Sequence, residues 1–274
     1  MRYHRDIHPK KSLGQHFLKD LSVAERIART ISGYPDLPVL EVGLGTGVLT
    51  QFLLQDHPDL TVVELDRESV AYLQTHYPAL EGRIIQADFL KMNLHVLFPS
   101  AFCVIGNYPY NISSQIFFKV LEYRDKIPCC AGMIQKEVAE RLASPPGKKS
   151  YGILSVLIQA WYDIEYLFTV EPIVFDPPPK VKSAVIRMTR NSRFVLDCDE
   201  NLFRTVVKTA FNQRRKTMRN SLKPLLGKEN EIFALPVFDK RPEQLSVEEF
   251  IELTRLVGAH TVPNQIGNQA GVSD

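Results

Sequence analysis

An α/β fold with a parallel sheet, followed by a small all-helical domain, is what this sequence predicts. Three observations predict it. Apolar strand-like runs alternate with amphipathic helical stretches, and four strand ends recur every ~20 residues, the spacing of short right-handed βαβ units. Those four runs stop at polar or glycine-rich tips, at Gly43, Glu64, Asp88 and Asn107. After Arg190 the strand-like runs cease and helical periodicity alone remains.

Taken in order, the chain opens on a basic arm, Met1 to Lys19, with five Lys/Arg against one Asp. Asp20 is placed to cap a helix whose apolar positions Val23, Ile27 and Ile31 repeat at helical spacing. Val39–Val42 reads as a buried strand entering Gly43-Leu44-Gly45-Thr46-Gly47, and Leu49, Phe52 and Leu53 mark the helix after it. Leu60–Val63, Arg83–Gln86 and Phe102–Ile105 are the next strands, stopping at Glu64-Leu65-Asp66, Ala87-Asp88-Phe89 and Asn107. Ala131–Ile134 makes a fifth strand, Glu137–Ala143 a helix, Ser144–Ser150 a polar loop able to move, and Tyr151–Trp161 another helix. Tyr166–Val170 and Val181–Met188 form an antiparallel pair around the Pro-rich stretch Phe175–Lys180. Further on, Leu202, Val206 and Ala210 beside Phe203, Val207 and Phe211 draw a wide apolar helical stripe. Ser246 and Glu249 have capping-box spacing before a last helix that Gly258 is placed to stop. The division expected is residues 1–190, 191–260 and a disordered tail, 261–274, rich in Gly, Asn and Gln.

At 274 residues, 45% hydrophobic and 23% charged, the composition is that of an ordinary globular protein. No apolar run reaches the ~20 residues of a membrane span, and the basic N-terminus has no apolar signal-peptide core, so a cytoplasmic, membrane-free protein is expected. Cys103, Cys129, Cys130 and Cys198 lack C-x-x-C spacing, and the seven His are scattered, so no metal is expected. Net charge is only +2, but six Lys/Arg and no acid fall between Lys208 and Lys223. Together with the basic arm, that run suggests a local polyanion footprint. Nothing points to a dimer, and a monomer is expected.

In parallel sheets ligands lie beyond the carboxyl ends of the strands, so the four tips should converge. Glycines after the first strand let a ligand approach the backbone, although G-x-G-x-G is one residue shorter than the dinucleotide pattern. Glu64 can accept both hydroxyls of a ribose or simply end a strand; Asp88 can accept from an adenine amino group. Together they fit an adenosine ligand without a pyrophosphate, and S-adenosylmethionine is one. Asn107-Tyr108-Pro109-Tyr110 offers two carbonyls to an aromatic amine and a π face to its ring, or forms a strand-to-helix turn with Asn111 or Ser113 as cap. Phe175 reads equally as packing. Arg214, Arg215 and Lys216 read as a solvated face or as phosphate contacts; Lys148 and Lys149 read as a solvated loop.

Gln15-His16-Phe17-Leu18, Glu41-Val42-Gly43-Leu44-Gly45-Thr46-Gly47, Glu64-Leu65-Asp66, Asn107–Ser113 and Phe175–Ser183 occur in that order. In this combination, over residues 8 to 256, the chain closely resembles the ribosomal RNA adenine N6,N6-dimethyltransferases, and among them the bacterial small-subunit enzymes linked to kasugamycin sensitivity. The resemblance implies a Rossmann-like class I S-adenosylmethionine-dependent methyltransferase sheet. It implies His16 and Leu18 at the methionine part of the cofactor, Gly43 and Gly45 in its loop, Glu64 at the ribose, Asp88 at the adenine, and Asn107 between cofactor and target. It also implies that Asn107, Pro109 and Tyr110 carry catalysis and that Phe175 faces the flipped adenine opposite Tyr110. The family usually has Leu where this chain has Tyr108, a change expected to reshape the target pocket, and Pro where it has Leu44.

The implied activity is dimethylation of two adjacent adenines near the 3′ end of small-subunit rRNA, in the immature subunit. An RNA-binding assembly factor whose methylation is secondary is the alternative of another class. A large-subunit rRNA dimethyltransferase is the nearest enzymatic one, and a nicotinamide dehydrogenase is disfavoured by the glycine spacing.

Overall fold

The computed structural model describes Lys10 and residues 14–260; the rest of the basic arm and the 261–274 tail lie outside the described residues. A two-residue strand, Phe17–Leu18 (β1), leads into helix Leu21–Ala28 (α1), whose N-terminus Asp20 caps by accepting from Ser22 N and Val23 N. Val39–Val42 (β2), Thr50–Asp56 (α2), Thr61–Glu64 (β3), Arg67–His76 (α3) and Ile84–Gln86 (β4) then alternate. After the short helix Leu94–Leu97 (α4) come Cys103–Asn107 (β5), Ser113–Glu122 (α5), Cys129–Gln135 (β6) and Lys136–Leu142 (α6). Helix Ile153–Gln159 (α7) precedes the strands Tyr162–Val170 (β7), Phe175–Asp176 (β8) and Ser183–Arg190 (β9).

Seven strands form one sheet in the order β4-β3-β2-β5-β6-β9-β7. The first five are parallel, while β9 runs antiparallel to both β6 and β7. The chain thus steps outward from β2 to β4, then returns to lay β5 against β2. That reversal is the switch point of the sheet, where the loops leaving two neighbouring strands diverge and open a crevice. The sequence explains why these runs are strands: β2, with Val39, Leu40 and Val42, is buried throughout, as befits a parallel strand covered on both faces. Val39, Val62, Cys103, Ile105, Ala131 and Met133 share one core with Ile27, Ile31, Leu49, Leu53 and Leu73. The arm joins this unit through β1, which pairs antiparallel with β8, Leu18 opposite Phe175.

The chain divides into two compact units, one of residues 1–140 and 162–191, the other of 141–161 and 192–274. The second unit therefore includes a segment, with α7, that sequence order alone places with the sheet; Tyr151 sets its ring edge-on to Phe211, 6.2 Å between centroids. Helix Glu200–Asn212 (α8) is capped by Asp199 and buries Phe203, Val206, Val207, Ala210 and Phe211. Met218–Ser221 (α9) and Lys223–Leu226 (α10) follow, then Val247–His260 (α11). Phe211 stacks on Phe250 at 5.9 Å. The capping box at the start of α11 is present, with Ser246 N donating to Glu249 Oε2 and Glu249 N to Ser246 Oγ. Gly258 does not stop the helix, which continues to His260. Its missing side chain instead admits Leu202, whose Cδ2 would lie 3.2 Å from a Cβ there.

Ser246→Ala removes one half of the box, and a loss of ~1 kcal/mol in denaturant unfolding of the C-terminal unit is expected.

Candidate functional site

Beyond the carboxyl ends of β2 to β5 lies a cleft lined by His16, Gly43, Gly45, Glu64, Asp88, Asn107, Pro109 and Tyr110. The sheet register brings them together. Gly43 N donates to Val63 O and Ala87 N to Glu64 O, which continues the β2–β3–β4 ladder into the loops. Gly43 and Gly45 have positive φ, 76° and 56°. A Cβ on Gly43 would press on Pro109 Cδ at 3.3 Å, and one on Gly45 on the Phe17 ring at 2.9 Å. The glycine turn is therefore required both by its own backbone and by the two loops that close over it.

Glu64 is 6% exposed. Its Oε1 accepts from Leu65 N at 2.8 Å and Asp66 N at 2.9 Å, and its Oε2 from Gly45 N at 3.3 Å. Burial raises its pKa, and the Asp66, Gly45 and Leu65 amides oppose the rise. Three backbone amides thus aim one carboxylate at the cleft and leave it lone pairs to accept further hydroxyls. Leu65 beside it is 52% exposed, an apolar face on the lip of the cleft. Asp88 Oδ1 accepts from Leu90 N at 3.0 Å, which fixes the carboxylate at the tip of β4.

On the opposite wall, Asn107 Nδ2 donates to His16 O at 3.3 Å. This bond orients the amide: its nitrogen is held by the arm, and its oxygen is the side chain's remaining acceptor. The His16 imidazole donates from Nδ1 to Pro177 O at 2.8 Å and lies 5.4 Å from the Tyr110 ring. Tyr110 Oη bonds Ser183 Oγ, which anchors the ring by its polar end. At the outer end of the arm, Lys10 Nζ reaches Asp66 Oδ1 at 2.5 Å and Glu68 Oε1 at 3.1 Å.

Leu18 and Phe175 are not brought to the cleft wall. Leu18 is 5% exposed and Phe175 fully buried, and both belong to the core. Pairing of β1 with β8 turns these two apolar side chains inward together. Tyr108 is among the residues that line the cleft, although its side chain is only 1% exposed. Nor do Asn111 or Ser113 cap α5, whose N-cap is Ile112 with no side-chain bond; Ser113 Oγ donates to Tyr110 O at 3.3 Å.

In the C-terminal unit Arg215 and Lys216 are exposed. Arg214 is engaged, donating from one Nη to Lys149 O at 2.5 Å and to Lys148 O at 3.4 Å, with Glu243 Oε2 4.0 Å from its Nε. Gly147 N donates to Glu243 O at 2.6 Å, and Ser144 Oγ meets Ser150 Oγ at 2.9 Å. The polar loop expected to move is tied at four points.

Sequence reasoning missed Leu65 as a cleft residue and Arg214 as a tether. An apolar residue between two acids at a strand tip was a signal for the first; long-range pairing left none for the second. Glu41 was also missed as an acid. It lies in the centre of β2, 1% exposed, accepting from Thr50 Oγ1 at 2.8 Å. Burial pushes its carboxyl up to about 8, with Thr50 opposing and Glu64 adding to the rise.

A sheet ordered β4-β3-β2-β5-β6-β9-β7 and parallel but for β9, with a glycine turn after β2 and a carboxylate at the tip of β3, is the architecture of the class I S-adenosylmethionine-dependent methyltransferases. The ribosomal RNA adenine dimethylase family model matches residues 7–255. The chain is 70% identical over 256 residues to a ribosomal RNA small subunit methyltransferase A of Parabacteroides distasonis, covering 93% of this chain and 96% of the relative. A dimethyladenosine transferase from Plasmodium falciparum shares the fold with a TM-score of 0.76, 24% identity, and coverage of 90% of this chain and 100% of that one. The 23S rRNA methyltransferase ErmE superposes with a TM-score of 0.65 and 27% identity, covering 87% and 99%. The chain belongs to the ribosomal RNA adenine dimethylase family. It is an S-adenosylmethionine-dependent rRNA adenine dimethyltransferase. Among the described residues no helix is long and apolar enough to cross a membrane, and no His/Cys/Asp/Glu cluster has the makings of a metal site.

Glu41 gives a pH prediction. Its folded pKa lies above its ordinary 4.5, so the folded chain holds a proton that the unfolded chain releases, and stability falls as pH rises from 4.5 to about 8. Glu41→Gln should shrink the drop in melting temperature between pH 5 and pH 8.5, by an amount on the order of a few kcal/mol in stability.

Proposed function

We propose that the protein transfers methyl groups to N6 of two adjacent adenines near the 3′ end of small-subunit rRNA, each to the dimethyl state, and does so on the immature small subunit. Glu64 would hold the cofactor ribose and Asp88 its adenine amino group, with the Gly43–Gly45 turn and His16 along the rest of the ligand. The residues fit the group: a buried carboxylate held by three amides, glycines where side chains would intrude, and an apolar lip at Leu65. When bound, S-adenosylmethionine supplies an electrophilic methyl.

The observation that carries the reading is the Asn107 amide. With Nδ2 given to His16 O, Oδ1 is the atom left to accept from an amine, and the Pro109 carbonyl, which accepts from Ile112 N at 3.2 Å and keeps a second lone pair, is the second acceptor. Two acceptors on the two N–H donors of an adenine N6 hold that nitrogen with its lone pair free to attack. Transfer would form the N–C bond as the methyl–sulfur bond of the bound donor breaks, its electron pair leaving on sulfur; the same two carbonyls would stabilise the positive charge on the nitrogen until a proton leaves to solvent. Catalysis is then positioning and electrostatics, without a general base of shifted pKa. Tyr110, anchored by Ser183, offers the ring a stacking face worth ~1–3 kcal/mol. Phe175, buried, would act at the slot only by backing it. The exposed Arg215 and Lys216 supply phosphate contacts, while Arg214 serves them by holding the Lys148–Lys149 loop. The small-subunit substrate is supported by the name and 70% identity of the Parabacteroides distasonis relative.

Incubation with unmethylated small subunits and cofactor labelled in its methyl group should give N6,N6-dimethyladenosine at adjacent positions of the rRNA, read by nucleoside mass spectrometry. Label in any other nucleoside would overturn the proposal. Asn107→Ala should lower kcat ~10²–10³-fold while binding to subunits is kept; if instead binding is lost with activity, the asparagine belongs to RNA docking and not to the amine.

A further inference from the structure

The arm that carries His16 is fastened to both walls of the cleft, and by different means. On the β5 side the grip is close packing and a neutral hydrogen bond. His16 O accepts from Asn107 Nδ2 at 3.3 Å. Gly14, at φ 63°, comes so near the loop after β5 that a Cβ there would stand 2.7 Å from Asn111 Oδ1. On the β3 side the grip is ionic. Lys10 Nζ meets Asp66 Oδ1 at 2.5 Å and Glu68 Oε1 at 3.1 Å, the N-cap of α3 and an acid of its first turn. Asp66 lies two residues beyond Glu64 and donates its backbone N to the Glu64 carboxylate at 2.9 Å. Lys10 is braced in turn by a residue of the cleft: its N donates to Gln15 Oε1 at 2.9 Å, and its O accepts from Gln15 N at 3.4 Å. Gly14, Gln15, His16 and Phe17 line the cleft together with Glu64, Asp88 and Asn107. A ligand lying between the walls is therefore bordered by the arm.

We propose that Lys10 is a positioning residue, a latch that holds the arm to the ribose side of the cleft and so sets how fast bound cofactor escapes. The inference rests on the reading of this cleft as the S-adenosylmethionine site with Glu64 at the ribose. The two grips differ in what releases them. Packing at Gly14 and the amide bond at Asn107 are indifferent to dissolved ions. The Lys10 and Glu68 side chains are 36% and 60% exposed, so ions reach that pair and screen it. Asp66 gives the ammonium a fixed target, because its other oxygen is held by Ser69 N and Ser69 Oγ at 3.3 and 3.0 Å. Opening the latch frees the arm from the side of Glu64 while His16 stays on Asn107. Lys10 bonds protein groups throughout, and it acts on the cofactor through the arm.

Lys10→Gln removes the charge and keeps a polar side chain. Labelled S-adenosylmethionine, chased from the full-length enzyme with unlabelled cofactor, should leave about fivefold faster than from wild type, the upper range for a partly exposed ion pair. The change should appear in cofactor KM more than in kcat. Release from wild type should quicken as salt rises, and release from Lys10→Gln should not. Lys10→Arg should restore slow, salt-sensitive release. Glu68→Gln should hasten release in wild type and add nothing in the Lys10→Gln background. A wild-type release rate in Lys10→Gln, or the same salt dependence in both proteins, would overturn the proposal. So would faster release that Lys10→Arg does not restore, and so would lost RNA affinity with release unchanged, which would make Lys10 a phosphate contact. Glu64→Ala separates the two readings. If it leaves cofactor Kd unchanged, the assignment of the cleft fails; if it abolishes binding while Lys10→Gln releases at the wild-type rate, the latch alone fails.

Discussion

Everything at this site depends on how closely the loop after β2 approaches the loop after β5. The two strands are neighbours because the sheet reverses there, and the register sets Glu41 against Ile105. Their continuations press together until a Cβ on Gly43 would touch Pro109 and the Asn107 carbonyl, at 3.3 and 3.4 Å. A side chain at Gly43 would part the loops and draw the asparagine away from the cleft. The cleft is therefore a consequence of bare backbone at one point more than of any single polar group.

The arm completes the wall that the strands cannot supply. Its ends are fixed by different forces, an ion pair from Lys10 to Asp66 and strand pairing of β1 with β8. Between them His16 gives its carbonyl to the Asn107 amide and its ring nitrogen to Pro177. Asp66 is also the N-cap of α3, accepting from Ser69 N, so one carboxylate serves both the helix and the arm. The Lys10 side chain is 36% exposed, and the contact owes its value to the partner being 4% exposed and already held in place by Ser69.

In the C-terminal unit the same economy of charge is visible. A run of cations read as one surface is divided in the structure: Arg214 turns back to the loop carbonyls, and Arg215 and Lys216 face water. A guanidinium suits the first task, because a single Nη carries two N–H donors and serves both carbonyls. Lys148 and Lys149, unremarkable in a mobile loop, become part of a fixed basic surface once Arg214, Glu243 and Ser150 hold that loop.

The sequence by itself determined the alternation of strand and helix, the caps at Asp20 and Ser246, and the four tips that meet at the cleft. These follow from local patterns: periodic burial, side chains that satisfy helix amides, and the rule that parallel strands end on one side of a sheet. The Asn107 motif and Glu64 were legible for the same reason, because strand ends mark the site. Only the tertiary structure decided the rest. Leu18 and Phe175 lie in the core because β1 and β8, far apart in sequence, pair and turn them inward. Gly258 admits Leu202 instead of ending its helix, and Tyr108 fits because Gly106 and Gly132 are cross-strand neighbours. Such choices depend on which residues of distant segments share space, and close packing settles that only when the whole chain has folded.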